Sequence, residues 1–296
     1  MTSVTRRANA KVNAFLRVCG RREDGYHDIE TAILPLDLHD VVTVEEADAL
    51  EVVVTGGGAE ALAAAGGDSL CGRAAHAWAT TAGIWAPRAR ITIDKRIPVA
   101  AGLGGGSADA AATLLALDEL FTTGLSDEAV AAAAATVGSD VPALVAGGPV
   151  FAEGRGDRLH PLHAVTTHWV VKPFPFAVRA ADAYAWWDEE PGTGPDPGAL
   201  VAAIEVGDDA LFGSAMFDDL EPAVASRHPE VTRAVAAFGG AGALGAIMTG
   251  SGPTVVALAR HLGHADAIAA AVPGSFVTVS APPTPPRTMA APSGVV

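Results

Sequence analysis

Pro98-Val-Ala-Ala-Gly-Leu-Gly-Gly-Gly-Ser-Ala-Asp-Ala-Ala-Ala112 is the stretch that decides the reading of this chain. Glycines 102, 104, 105 and 106 leave the backbone free of Cβ obstruction, so it can turn sharply and aim several N–H groups at one place. Ser107 to Ala112 then opens a helix predicted to run to Phe121. The free N–H groups and positive dipole end of that helix face the loop. Loop and helix end together form an anion site, and phosphate is its usual guest. A Walker A loop would close on Gly-Lys-Ser/Thr, which is absent, and a dinucleotide fingerprint would need a third glycine at position 107, where Ser stands. The plain alternative is a flexible turn before a helix. Four glycines between the strand end Ile97-Pro98-Val99 and a Ser-Ala-Asp-Ala-Ala helix start weigh against it.

Working outward, the N-terminal side reads mainly as strands. Val4 to Val18 is long, with Ala10, Val12, Ala14, Leu16 and Val18 on one face and Lys11, Asn13, Phe15 and Arg17 on the other. Asp24-Gly25 marks a turn, and Ile29–Leu38, Val41–Glu46, Leu50–Thr55 and Ala89–Asp94 are further strands, with a helix at Asp68–Thr81. Past the loop, Ser126 caps a helix to Val137 with Asp127 and Glu128 in its first turn. Gly147-Gly148 and Gly154-Arg155-Gly156 bracket a short strand. Beyond a boundary near Asp157–Leu162 come a strand at His168–Lys172, several helices and a loop at Pro191–Pro197. A strand–glycine turn–strand unit follows (Gly245–Met248, Thr254–Ala259), then a helix at Gly263–Ala271 and a strand at Ser275–Ser280. Strands and helices mix without a βαβ period, so the class is α+β. The expected division is residues 1–158, 159–282, and a Pro/Ala-rich disordered tail over 283–296.

Half of the 296 residues are apolar, enough for a full core. A net charge of −15 without a Lys/Arg cluster repels polyphosphate chains and argues against a nucleic-acid partner. One phosphorylated small molecule is not excluded, because a local site can override the global field. Cys19 and Cys71 have no disulfide or metal spacing and are expected to be buried apolar residues. Neither a signal peptide nor a membrane span is legible, which points to the cytoplasm and to a protein without a membrane partner. The expected assembly is a monomer or weak homodimer.

The glycine segment resembles the central motif of the GHMP kinases, in which the phosphates of ATP lie on this loop and helix end. Ala10-Lys11-Val12-Asn13-Ala14-Phe15-Leu16 and Met248-Thr249-Gly250-Ser251-Gly252-Pro253-Thr254 are similar to the family's first and third motifs, in order and at its spacing. The resemblance implies an N-terminal domain like the second domain of ribosomal protein S5, a ferredoxin-like C-terminal domain, and ATP-dependent phosphorylation of a small alcohol. Asp24-Gly25-Tyr26-His27, Val137-Gly138-Ser139-Asp140-Val141-Pro142 and Gly154-Arg155-Gly156-Asp157 are similar to one branch, which acts on a cytidyl alcohol on the non-mevalonate route to isoprenoid precursors.

By that resemblance Asp140 is the catalytic base, orienting the hydroxyl and taking its proton. From sequence alone an N-cap ahead of Val141-Pro142 is the favoured reading of this residue. Lys11 is its partner, an ammonium that stabilises negative charge in transfer. The nucleotide set is Lys95 with Pro98, Val99, Ala100, Ala101, Gly102, Leu103, Gly104, Gly105, Gly106, Ser107 and Ala108, with Asp68-Ser69-Leu70 also on the adenine side. Mg²⁺ must offset the charge of ATP, and Ser107 is its candidate ligand; Asp109 is a second candidate or a helix-dipole partner. The substrate-binding set is Asn13, Tyr26, His27, Phe174, Phe176 and Thr249, with Tyr26 and one of the two phenylalanines as stacking faces for cytosine. Asn9, Ser69, Asp118, Asp218 and Arg179-Ala180 depart from the family pattern, which has Pro, Asn, Asn, Asn and Ser-Thr there. The other readings are a mevalonate- or sugar-type member of the family and a non-catalytic nucleotide-binding protein on the same fold.

Overall fold

The computed structural model describes residues 2–60 and 70–282. Asp68, Ser69 and the tail 283–296 lie outside the described residues. Strand β1 (Ser3–Arg21) and β2 (His27–Glu46) pair antiparallel from the Asp24-Gly25 turn outward. The sequence suggested two strands where β2 is one. The charge of Asp40 looked like a break, yet Asp40 is fully buried within the strand, because Lys95 and the backbone N–H groups of Arg96 and Ile97 satisfy its carboxylate. The alternation predicted for β1 also fails at one point. A register shift between Asn13 and Phe15 turns Phe15 to the side of Ala10, Val12 and Ala14, while Leu16 and Val18 pack into a different cluster. Cys71 is buried as expected, but Cys19, near the end of β1, is exposed.

Around this pair a seven-stranded sheet forms. β3 (Glu51–Gly56) joins β4 (Ala89–Lys95) in parallel, β4 joins β2, and β5 (Val150–Gly154) pairs with both β2 and β6 (Arg158–Pro161). Helices α1 (Leu70–Thr81), α2 (Gly105–Leu120) and α3 (Asp127–Val137) cover one face. Trp78, Leu114, Leu117 and Val137 pack there against Val42, Val44, Ile91 and Ile93. Ser126 caps α3 by accepting from Ala129 N at 3.2 Å, as the sequence predicts. A short helix absent from the sequence reading, α4 (Val141–Ala146), follows directly on Asp140.

The second sheet has the order β11-β7-β10-β9, from β7 (His168–Lys172), β9 (Gly245–Met248), β10 (Val255–Ala259) and β11 (Phe276–Val279). Its helices are α5 (Ala180–Glu189), α6 (Gly198–Val206), α7 (Asp209–Ala215), α8 (Glu221–Ala225), α9 (Pro229–Gly240) and α10 (Leu262–Ala271). Two connections bind the two sheets. Strand β8, only Phe217–Asp218, leaves the second half of the chain and pairs in parallel with Phe15 and Leu16 of β1. At the other end Ala281 N donates to Pro35 O at 2.8 Å, so the chain is still tied to β2 at the point where the tail was expected to start. Ala10, Val12 and Phe15 share one core with Trp169, Phe212 and Leu258.

Candidate active site

The glycine loop closes against β1. Lys11 N donates to Leu103 O at 2.9 Å, and Lys11 Nζ donates to Gly102 O at 2.9 Å. Two glycines make this approach feasible. Gly104 lies at φ 72°, and a Cβ on it would meet Lys11 Cγ at 2.8 Å. Gly102 lies at φ 78°, where a Cβ would meet Gly252 O of the third motif at 2.5 Å. Helix α2 begins at Gly105, two residues earlier than predicted, so Ser107 sits inside the first turn. Ala108 N bonds back to Gly104 O at 2.8 Å. The amides of Gly105, Gly106 and Ser107 have no such carbonyl behind them and remain for an anion. The side chains of Ala101, Leu103 and Ala108 are buried in the core, so these residues can offer a nucleotide only their backbone.

Lys11 is 4% exposed, and its ammonium is held by Asn13 Oδ1 at 2.6 Å. It stands 3.8 Å from Asp140 Oδ2, and Asp140 is open to solvent on its other side. Asp140 occupies the N-cap position of α4 but makes no capping hydrogen bond. Its carboxylate is thus not used in capping, although the residue holds the N-cap position that the sequence suggested.

Two residues expected to touch substrate are engaged within the protein instead. Asn13 takes Lys11 on Oδ1 and donates Nδ2 to Thr31 Oγ1 at 2.7 Å, so it aims the lysine. Thr249 is fully buried; its hydroxyl accepts from Asn13 N at 2.7 Å and donates to Asn13 O at 3.3 Å, clamping the third motif to β1. Lys95 is likewise not presented to a nucleotide. It is buried between Asp40 and Asp109, 2.8 Å from Asp109 Oδ2. One ammonium faces two buried carboxylates. Desolvation, opposed by Lys95 and reinforced by Asp40, pushes Asp109 up to about 7. That ion pair ties the strand before the loop to the helix after it. Ser107, by contrast, has no hydrogen bond to its hydroxyl among the described residues.

The cytosine-side residues divide. His27 is buried, with Nε2 2.8 Å from Asp188 Oδ1. Its ring stacks on Tyr184 at 4.9 Å and 20°, and meets Trp187 edge-on at 5.8 Å. Tyr26 is half exposed, and the Arg155 guanidinium lies 3.7 Å over its ring. Phe174 and Phe176 stack on each other at 5.3 Å, and Phe176 stacks on His228 at 4.5 Å, as part of the second-half core. Tyr184 was missed by the sequence reading. Burial, with the charges of Asp218 and Asp140 adding to it, pushes its hydroxyl well above the usual range. The available signal was the spacing Tyr184, Trp187, Asp188 on one face of α5, since i, i+3 and i+4 converge.

Models for the "GHMP kinases N terminal domain" and the "GHMP kinases C terminal" domain match residues 69–148 and 200–278. The 4-diphosphocytidyl-2-C-methyl-D-erythritol kinase of Pelotomaculum thermopropionicum is 41% identical over 276 residues, 90% of this chain and 93% of the relative. The chain belongs to the GHMP kinases. The enzyme of the same name from Nocardia farcinica is 41% identical over 280 residues, covering 93% and 91%. A crystal structure of 4-(cytidine 5'-diphospho)-2C-methyl-D-erythritol kinase superposes with a TM-score of 0.77 at 32% identity, over 94% of this chain and all of the other. Homoserine kinase from Cytophaga hutchinsonii, at 22% identity and a TM-score of 0.73 over 95% of each chain, shares the fold. The α+β GHMP kinase architecture expected from the sequence is thus the observed one, and GHMP kinases use ATP. Among the described residues no helix is long and apolar enough to cross a membrane.

Proposed function

We propose that this protein transfers the γ-phosphoryl group of ATP to the 2-hydroxyl of 4-diphosphocytidyl-2-C-methyl-D-erythritol, a step toward isoprenoid precursors by the non-mevalonate route. The observation that carries it is the approach of Lys11 Nζ to Asp140 Oδ2, 3.8 Å, beside the open amide end of α2. The named relatives support the choice of acceptor.

In this reading the amides of Gly105 to Ser107 hold phosphate oxygens. Asp140 orients the acceptor hydroxyl and takes its proton as the oxygen bonds to the γ-phosphorus and the bond to the leaving ADP oxygen breaks. Lys11, fixed by Asn13 and Gly102, stabilises the charge that gathers on the transferred group. It is a local positive centre in a chain of net charge −15. Mg²⁺ bound with ATP supplies charge neutralisation. The partnerless Ser107 hydroxyl fits such an ion; Asp109 gives Oδ2 to Lys95 and keeps a buried Oδ1 without a hydrogen-bond partner, so it stays the second candidate. His27, with Tyr26 beside it in the chain and Tyr184 on its ring, is the assigned recognition corner for the base. A division after Pro161 belongs to the same reading; the expected cut at residue 158 would pass through β6, which still pairs with β5 in the first sheet, and β8 crosses back from the second half.

The test is incubation with ATP and 4-diphosphocytidyl-2-C-methyl-D-erythritol, followed by mass spectrometry. The acceptor should gain one phosphoryl group. Transfer to mevalonate or a sugar instead, or ATP binding without transfer to any acceptor, would overturn the assignment.

A further inference from the structure

Strand β8 supplies two residues, and one of them, Asp218, faces the Gly250 amide, at a glycine whose Cβ would stand 3.3 Å from Lys11 Nζ. Parallel pairing of Asp218 with Leu16 fixes its backbone beside β1. Leu220 N donates to Asp218 Oδ1 at 2.9 Å. The other oxygen, Oδ2, is buried and has no hydrogen-bond partner, and the residue as a whole is 4% exposed. An ionised carboxylate offers about four lone-pair sites. The Leu220 bond and a poorly aligned Gly250 amide leave most of that charge without compensation in a dry place.

The groups facing Asp218 do not supply the deficit. From β1 comes Lys11, from α8 Glu221, and from α5 the Tyr184 hydroxyl, which also faces Asp140; the Gly250 amide is near. Lys11 is the one cation in this set. Its ammonium is bonded to Asn13 Oδ1 and Gly102 O and lies in ion-pair range of Asp140, with no such contact to Asp218. Burial therefore pushes the Asp218 carboxyl well above the usual range; Glu221 adds to the push, and Leu220, Gly250 and Lys11 only partly oppose it.

We propose that Asp218 is a positioning residue of the transfer site that works as the neutral carboxylic acid, leaving the charge of Lys11 to Asp140 and the incoming phosphate. This rests on the phosphoryl-transfer reading above. An ionised Asp218 would set a second carboxylate against Lys11, weaken its alignment on Asp140 and repel the nucleotide. The sign follows directly. The acid is neutral below its raised pKa, so activity is present there and is lost as pH climbs through it.

Asp218→Asn keeps the shape and removes the ionisation. The readout is the shape of the pH profile: the alkaline fall-off in kcat/KM due to Asp218 should vanish in this variant. An infrared difference spectrum, parent minus Asp218→Asn, should hold a protonated-carboxyl band at a pH about one unit above the Asp109 value of about 7, where Asp109 is mostly ionised. If Asp218→Asn does not fold, Asp218→Ser takes its place in the same subtraction, because Glu221 and Asp219, whose carboxyls burial also raises, then cancel. Absence of the band overturns the proposal. So does a loss of kcat beyond about a hundredfold in Asp218→Asn that still binds ATP normally. The infrared experiment needs no substrate. A parent protein that shows the band but never phosphorylates the cytidyl alcohol would defeat the functional reading and not the protonation state.

Discussion

Replacing Gly104 by Ala should break the site from the inside. Gly104 lies at φ 72° and ψ 13°, a left-handed conformation that disfavours a Cβ by about 1–2 kcal/mol. The new Cβ would stand 2.8 Å from Lys11 Cγ and 3.0 Å from Lys11 Cε. Carbon atoms rest at about 3.5–4.0 Å, so the lysine must retreat by roughly 0.7 Å or more. It has little room, being 4% exposed and held at 2.6 Å and 2.9 Å by Asn13 and Gly102. Displacement on the order of 1 Å at a reacting centre lowers turnover about 10²-fold. We expect Gly104→Ala to lose about 2 kcal/mol of stability and kcat to fall about 10- to 100-fold, measured by urea melts and coupled ADP release. Gly106→Ala is the internal control. Its Cβ would find nothing nearer than Leu70 Cδ1 at 3.8 Å, and its helical backbone favours Ala, so stability should hold or rise. A Gly104→Ala protein with unchanged urea midpoint and kcat within about twofold of the parent would refute the reasoning.

Asp140→Asn should lower kcat by about 10²–10⁴ while the ATP dissociation constant, read by calorimetry, stays unchanged; equal activity removes Asp140 as base. Tyr184→Ala removes the ring stacked on His27 and should raise KM for the cytidyl acceptor several-fold, an aromatic pair contributing about 0.5–1.5 kcal/mol. An effect confined to the KM for ATP would contradict that placement. Asp109 is about 7 when folded against an ordinary 3.8, so the folded state binds the extra proton between those values. That contribution is full below the ordinary value and lost as pH rises through about 7. Urea melts of parent and Asp109→Asn should therefore differ in slope between roughly pH 4 and 7, and parallel curves would contradict it.

The glycine loop, the helix behind it and the capped helix after that were legible because each is local: glycines, a Ser cap and an acidic first turn act within a few residues. Lys11 and Asp140 come from separate motifs, and the fold brings their side chains to 3.8 Å. What escaped was set by distant partners. Asn13 and Thr249 looked like substrate ligands because nothing nearby in sequence tells that they bond each other across 236 positions. Asp40 looked like a strand break because its compensation comes from residues 95 to 97. The bulge that turns Phe15 follows from its pairing with β2, and a period-2 pattern cannot foresee one extra residue. Tyr184 lies 157 positions beyond His27, and only the fold stacks the two rings.

The two-residue strand β8 carries a consequence for dissecting the molecule. A polypeptide ending just after β6 would leave the outer edge of β1 bare at Phe15 and Leu16 and would lack the buried Asp218. The remaining fragment would hold a strand with no sheet to enter. Such halves, expressed apart, should be sticky and inert; mixed together, they have a built-in zipper by which to reassemble and regain turnover.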